Sequence, residues 1–219
     1  MNSHIVILSS VSPIKVETVR KFLNEYVFDK PFELITISTK DAPIPEQPVN
    51  SGLECAQMRN EYMKTKIGNQ KYDLLISIEN DVVFGERFDE YEIIQDHCHV
   101  IIEDDRGNKY TAESYAGNAP IKYFADAKEA TPADYPYLNK GLAVTMGSRV
   151  ALEYPDIDAQ NWMADTRINP YSSRSRTDSI REALFDVFGQ KEDNDFLYNA
   201  VIRIPDHPKP GVLFQDMSN

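Results

Sequence analysis

Short apolar runs alternate along this chain with helical patterns. Ile5-Val6-Ile7-Leu8 is a continuous apolar run of strand length, and Val16, Val19, Phe22 and Leu23 fall on one face of a helical repeat. Ser12 is a good N-cap and Pro13 suits the first helical position, so the pattern predicts a buried strand over 4–9 and a helix over 13–26. Phe32 to Ser38 alternates as a strand does. Pro43, Pro45 and Pro48 make residues 41–50 an extended, stiff loop. Ser51-Gly52-Leu53-Glu54 has the spacing of a capping box and opens a helix through about Lys66. An apolar strand follows, from Asp73 to its end at Glu79.

Residues 82–115 read as an antiparallel meander, with Asp105-Arg106-Gly107-Asn108 turning between Val100-Ile101-Ile102 and Tyr110-Thr111-Ala112. Helical patterns cover 119–130 and about 138–153. Ser175-Arg176-Thr177-Asp178 is a second capping-box start. The helix it opens carries Ile180, Ala183, Leu184, Val187 and Phe188 on one face and stops at Gly189. There the pattern breaks. Residues 190–195 are charged and polar, and Pro205, Pro208 and Pro210 forbid a helix over 201–216. The alternation predicts an α/β or mixed α+β domain over residues 1–189 with a largely covered sheet, then a linker and Pro-rich tail over 190–219.

Composition adds constraints. A hydrophobic content of 42% with 11% aromatic residues supports a packed core. No apolar run reaches transmembrane length and the first turn is too polar for a signal peptide, so a soluble cytoplasmic protein without a membrane partner is expected. The net charge of -12 disfavours nucleic acid as a partner. It leaves room for a small polyanion held by local cations or a metal ion. Cys55 and Cys98 have no zinc spacing and read as packed thiols.

The candidate chemistry sits where strands give way to other elements. Ser10 and Ser12 stand between a strand and a helix N-terminus, with Lys15 one turn on, an arrangement suited to an anion. The segment lacks the glycines of a Walker loop. Asp41 and Glu79, each after a predicted strand, could share a Mg²⁺ with substrate phosphates. Arg59, Arg174 and Arg176 are candidate phosphate or base contacts. His97 and His99 could share one strand face, with no third ligand evident. Trp162-Met163 reads as core or interface.

In order and spacing, several segments resemble the inosine/xanthosine triphosphatase family, the phosphatases of non-canonical purine nucleotides. Ser10-Val11-Ser12-Pro13-Ile14-Lys15 stands for a Thr-x-Asn-Pro-x-Lys-like motif, and Ile44-Pro45-Glu46-Gln47-Pro48 for a Val-Pro-Glu-Gln-Pro-like one. Ala56-Gln57-Met58-Arg59 is similar to an Ala-x-x-Arg pattern, Ile78-Glu79-Asn80-Asp81 to a strand ending in Glu-Gly-Gly, and Ser175-Arg176 to a late Thr-Arg. The likeness covers residues 4–188. It implies an elongated mixed sheet flanked by helices, with the nucleotide in a central cleft and a homodimeric assembly. Ser10, Ser12 and Lys15 would hold the triphosphate, Arg59 and Arg176 would assist, and Asp41 and Glu79 would hold Mg²⁺ or Mn²⁺. Lys15 and Glu79 would carry the chemistry. The implied activity is metal-dependent hydrolysis of purine nucleoside triphosphates such as ITP or XTP. Where the family has an Asn this chain has Ser12, and where it has glycines Asn80 and Asp81. These exchanges also suit a nucleotide-binding module without turnover, and the acidic surface a protein-interaction domain.

Residues 202–216 resemble the opening of adenine phosphoribosyltransferases. That likeness implies the first part of a purine-salvage fusion, a relic or docking segment, or a separate phosphoribosyltransferase as partner, and no transferase activity of this segment itself.

Overall fold

The computed structural model describes residues 4–84, 94–170 and 174–190. The elements run β1 (His4–Leu8), α1 (Pro13–Tyr26), β2 (Phe32–Thr36), β3 (Gln47–Pro48), α2 (Gly52–Ile67), β4 (Leu74–Phe84), β5 (Ile94–Asp104), β6 (Lys109–Ala119), α3 (Ile121–Glu129), β7 (Gly141–Leu142), α4 (Met146–Glu153) and α5 (Arg176–Gly189), with a 3₁₀ turn at Trp162–Ala164. Five strands form one mixed sheet in the order β2-β1-β4-β5-β6. β1 pairs in parallel with β2 and β4, while β4, β5 and β6 pair antiparallel. β3 and β7 form a small antiparallel pair of their own. The expected mixed α/β architecture with helices on its faces is what the chain adopts.

Two apolar cores divide the long strands between them. On one face, Val19, Phe22 and Leu23 of α1 and Ile180, Leu184 and Val187 of α5 pack over Ile76, Ile78, Val100 and Ile102. Towards the far ends of the same strands, Val82 and Ile94 pack with Tyr123, Phe124, Val150 and Trp162. α2 covers the other face, where Met63 meets Ile7 and Leu75. Both cysteines are buried and free. Among the described residues no helix is long and apolar enough to cross a membrane.

Four local expectations change. First, β4 does not end at Glu79. It runs on to Phe84 because β5 stays in register beside it, Glu79 opposite His99 and Phe84 opposite Ile94. Second, the helix expected from about Leu138 starts at Met146. Gly141–Leu142 is drawn into pairing with Gln47–Pro48, and Thr145 then caps α4 by accepting from the Ser148 N–H at 3.2 Å. Third, Ser51 does not close a capping box. Its hydroxyl donates to the Lys140 carbonyl, and the Asp81 carboxylate of β4 accepts from the N–H groups of Ser51 and Gly52 at 3.1 and 2.9 Å. A buried negative charge at a helix N-terminus is stabilised by the helix dipole and orphan N–H groups. Fourth, residues 41–50 are not wholly irregular, since β3 lies among them. The capping box at Ser175 and Asp178 and the turn before Asn108 form as expected. The predicted linker and tail beyond Gln190, and with them the transferase-like segment, lie outside the described residues.

Gly52 is the contact point of that cap. A Cβ there would fall within 2.6 Å of Asp81 Cγ and closer still to the His99 ring. The Gly52→Ala variant should lose about 1–3 kcal/mol of stability through overpacking. Chemical denaturation read by circular dichroism checks this. A variant as stable as the parent would show that α2 can shift without cost.

Candidate functional site

The topology opens a crevice at one place. From β1 the chain crosses through α1 to β2 on one side, then returns through α2 over the opposite face to β4 on the other side. At such a reversal the loops after neighbouring strands part, leaving space beyond their carboxyl ends. Here the space is enlarged because β1 ends at Leu8, opposite Ile76, while β4 continues. A cleft of about 550 Å³ occupies it. Ser10, Ser12, Lys15, Arg59, Glu79 and Arg176 all border this cleft.

Ser12 is the N-cap of α1, but its side chain makes no cap hydrogen bond. Instead its hydroxyl donates across the cleft to Gln160 Oε1 at 2.6 Å, and Ser10 Oγ accepts from the Ser12 N–H at 3.1 Å. Lys15 is half-buried, and its Nζ donates to the Ile78 carbonyl at 3.0 Å. Desolvation lowers its pKa to about 8, against the opposing pull of Glu79, with Arg59 and Arg176 adding to the fall.

Glu79 is 4% exposed and held from two sides. Arg59 Nε donates to one carboxylate oxygen, and the Asn80 N–H donates to the other at 3.0 Å. The same guanidinium donates to Thr39, whose hydroxyl donates to the Ser9 carbonyl. Arg59 therefore reaches the cleft as the partner that fixes Glu79. Arg176 is likewise engaged. Both its terminal nitrogens donate to Asp96 of β5, and its backbone N–H donates to Asn161 Oδ1 at 2.7 Å. Burial raises the Asp96 pKa while Arg176 opposes that rise. Cys98 lies near Lys15 and Arg176, yet burial pushes its thiol up to about 12, which removes it as a nucleophile.

Asp41 is not brought to the cleft. It is exposed on the Thr39–Pro43 turn and feels Lys66 at the far end of α2. The carboxylate that joins Glu79 at the cleft is Glu46. His97 and His99 also lie elsewhere. His99 Nε2 is 2.9 Å from Asp81 Oδ1, and His97 pairs with Glu113. Burial works to lower the His99 pKa, but Asp81, with Glu113 and Glu79, raises it above its ordinary value. Among the described residues no group of three or more His, Cys, Asp or Glu is placed to hold a metal ion.

Several cleft residues had no role in the sequence reading. Gln47 stands inside the quoted Pro-rich motif, and its Oε1 accepts from the Met146 N–H at 3.2 Å, tying the wall formed by β3 to α4. Gln160 carries no pattern that announces it, and Trp162, read as core or interface, is buried in the second core and also borders the cleft. Lys40 adds a cation: the lining has Lys15, Lys40, Arg59 and Arg176 against Glu46 and Glu79, a net charge of +2 that Asp96 behind Arg176 reduces to +1. A locally positive cleft in a chain of net charge -12 favours an anionic ligand.

No protein-family model matches the chain. Among solved structures, it is similar to protein VC0702 from Vibrio cholerae, with a TM-score of 0.61 at 15% sequence identity, over 85% of this chain and 94% of that one. At that identity the likeness is one of fold.

Two outcomes follow from the buried charges. An anion bound through Lys15 needs the protonated ammonium, whose pKa of about 8 lies below the ordinary lysine value of 10.5. Affinity for tripolyphosphate should be full near pH 7 and fall roughly 10-fold or more by pH 9.5, and Lys15→Arg should flatten the profile. Calorimetry across that range decides it; a flat parent profile would remove Lys15 from the anion site. Arg176→Met leaves Asp96 buried and uncompensated, and should cost about 3–5 kcal/mol, with Arg176→Met/Asp96→Leu recovering much of it. Equal stability of the single and double variants would deny the pair that structural role.

Proposed function

We propose that the cleft binds the phosphate chain of a purine nucleoside triphosphate such as ITP or XTP and hydrolyses it. The observation that carries this reading is the convergence of Lys15, at an N-terminus of α1 not closed by a side-chain cap, with the buried carboxylate of Glu79 in one locally positive cleft. The resemblance in the Ser10–Lys15 and Ile44–Pro48 segments supports the substrate class.

The donor set suits a divalent ion only in part. Glu79 offers a buried carboxylate and Glu46 a second one on the wall, fewer ligands than a dedicated cage requires. Mg²⁺ or Mn²⁺ is commonly held by one or two carboxylates together with substrate phosphates, and would supply neutralisation of phosphate charge and a polarised water. The chain's own residues do the remaining work. Ser10 and Ser12 offer hydroxyls to phosphate oxygens, and Ser12 gives up its bond to Gln160 to do so. Lys15 stabilises negative charge developing on the phosphate. Arg59 holds Glu79 in orientation, and Arg176 holds the start of α5 against the sheet.

A second reading, a nucleotide-binding module without turnover, is favoured by one observation. Glu79 already has Arg59 as a partner, which neutralises the charge a metal or water would use.

The experiment measures phosphate and pyrophosphate release from ITP with Mg²⁺, alongside nucleotide binding by calorimetry. Glu79→Gln should lower turnover roughly 100-fold or more, the effect of losing several kcal/mol of transition-state stabilisation. Asp41→Asn, outside the cleft, should stay near the parent. Binding without turnover in the parent protein would select the second reading. Absence of both would remove the nucleotide assignment.

A further inference from the structure

The buried side of α2 carries a feature independent of what the cleft binds. The helix runs antiparallel to β4, since Gly52 meets Asp81 and Met63 meets Leu75. A helix advances about 1.5 Å per residue and a strand about 3.3 Å. Asn60, one turn before Met63, therefore lies over Ser77. Ser9, the first residue past β1, is beside Ser77, because its N–H donates to the Ile76 carbonyl at 2.9 Å. Ile7 and Leu75, two residues earlier on each strand, both pack against Met63, so alternation turns Ser9 and Ser77 towards α2 as well.

All three side chains are fully buried, at 0% exposure. Yet Asn60 Oδ1, Asn60 Nδ2, Ser9 Oγ and Ser77 Oγ have no hydrogen-bond partner among the described residues. Buried polar groups are nearly always paired, with protein or with ordered water. The seam around them is otherwise satisfied: Glu79 is bonded to Arg59, and Thr39 links Arg59 to the Ser9 carbonyl. We propose that Asn60, Ser77 and Ser9 form a binding site for ordered water between α2 and the sheet, directly behind the Glu79–Arg59 pair.

The chemistry selects water over a small cation. A cation would engage the three oxygens but leave the Asn60 amide N–H groups without an acceptor. Water accepts from the amide and donates to the oxygens, and the two hydroxyls adapt to either role. Such a site places solvent beside Ser77, two residues before the cleft carboxylate Glu79 on the same strand.

The test is a crystal structure of the full chain at better than 2 Å, with a parallel crystal soaked in rubidium. The expected result is density within hydrogen-bond distance of Asn60 and Ser77, without anomalous signal. Direct pairing of Asn60 with the serines, an empty seam, or a rubidium peak would each overturn the proposal. Thermal unfolding gives a second arm. Asn60→Leu should displace the water, strand the two hydroxyls and melt below Ser9→Ala/Asn60→Leu/Ser77→Ala. A single variant melting at or above the triple variant would count against a polar, hydrated seam.

Discussion

One strand outlasting its neighbour is the constraint on which the cleft depends. β1 stops at Leu8 opposite Ile76, while β4 continues to Phe84 with β5 beside it. Past that point β4 has lost its parallel neighbour but not its sheet. Before Val49 bridges to Val82 in parallel, Glu79 and Asn80 border the cleft, and the first turn of α1 rises at its edge. The second core, around Val82, Ile94 and Trp162, forms on the continued portion and supplies the opposite wall. Gly147 is part of how that wall closes, because a Cβ there would meet the Ala159 carbonyl oxygen at 1.9 Å. The two cores are therefore not redundant: each builds one side of the same crevice.

Two buried ion pairs lie at or just behind this crevice, and a third buried carboxylate is matched farther along β4. Glu79 has Arg59, Asp96 has Arg176, and Asp81 has a helix N-terminus and His99. Each match joins two elements that apolar contacts alone would leave free to slide: α2 to β4, α5 to β5, and the head of α2 to the middle of the sheet. Ion pairs so buried contribute little net stability over apolar replacements, but losing one partner is costly. They act as registers for the elements, which explains why residues legible as ligand contacts turn out to be bonded to the protein itself. Lys15 differs from them. It has a carbonyl partner and nearby charges, and it retains a depressed pKa because its ammonium has given up water without gaining a carboxylate contact of its own.

What could be read in the sequence was local. Proline at the head of α1, the capping box of α5 and its apolar face, and the turn between β5 and β6 are all fixed by residues within one or two turns of each other. The cleft lining was legible where a motif and a strand end coincide, as at Ser10, Ser12 and Lys15. It was not legible where long-range pairing decides. Nothing near Glu79 in sequence shows that β5 will extend its strand to Phe84. Nothing near Ser51 shows that Asp81, thirty residues on, will cap α2. Asp41 stands after a strand in sequence, yet the turn it occupies carries it to the exposed flank of α2. Gln160 faces Ser12 across 148 residues of chain, a relation that no periodicity encodes.

The same long-range pairing bears on how the molecule forms. β5 and β6 are joined by a four-residue turn, so their pairing closes a short loop. Pairing β1 with β4 instead joins Val6 to Leu74, across two helices and two strands. Chain entropy opposes the longer closure more, and non-local pairing slows folding. The cleft requires that closure and also the docking of α5 from the other end of the described chain. Its lining is thus assembled from the contacts that cost the most loop entropy, and the region proposed to bind a ligand is the one whose order depends on the whole chain having found its place.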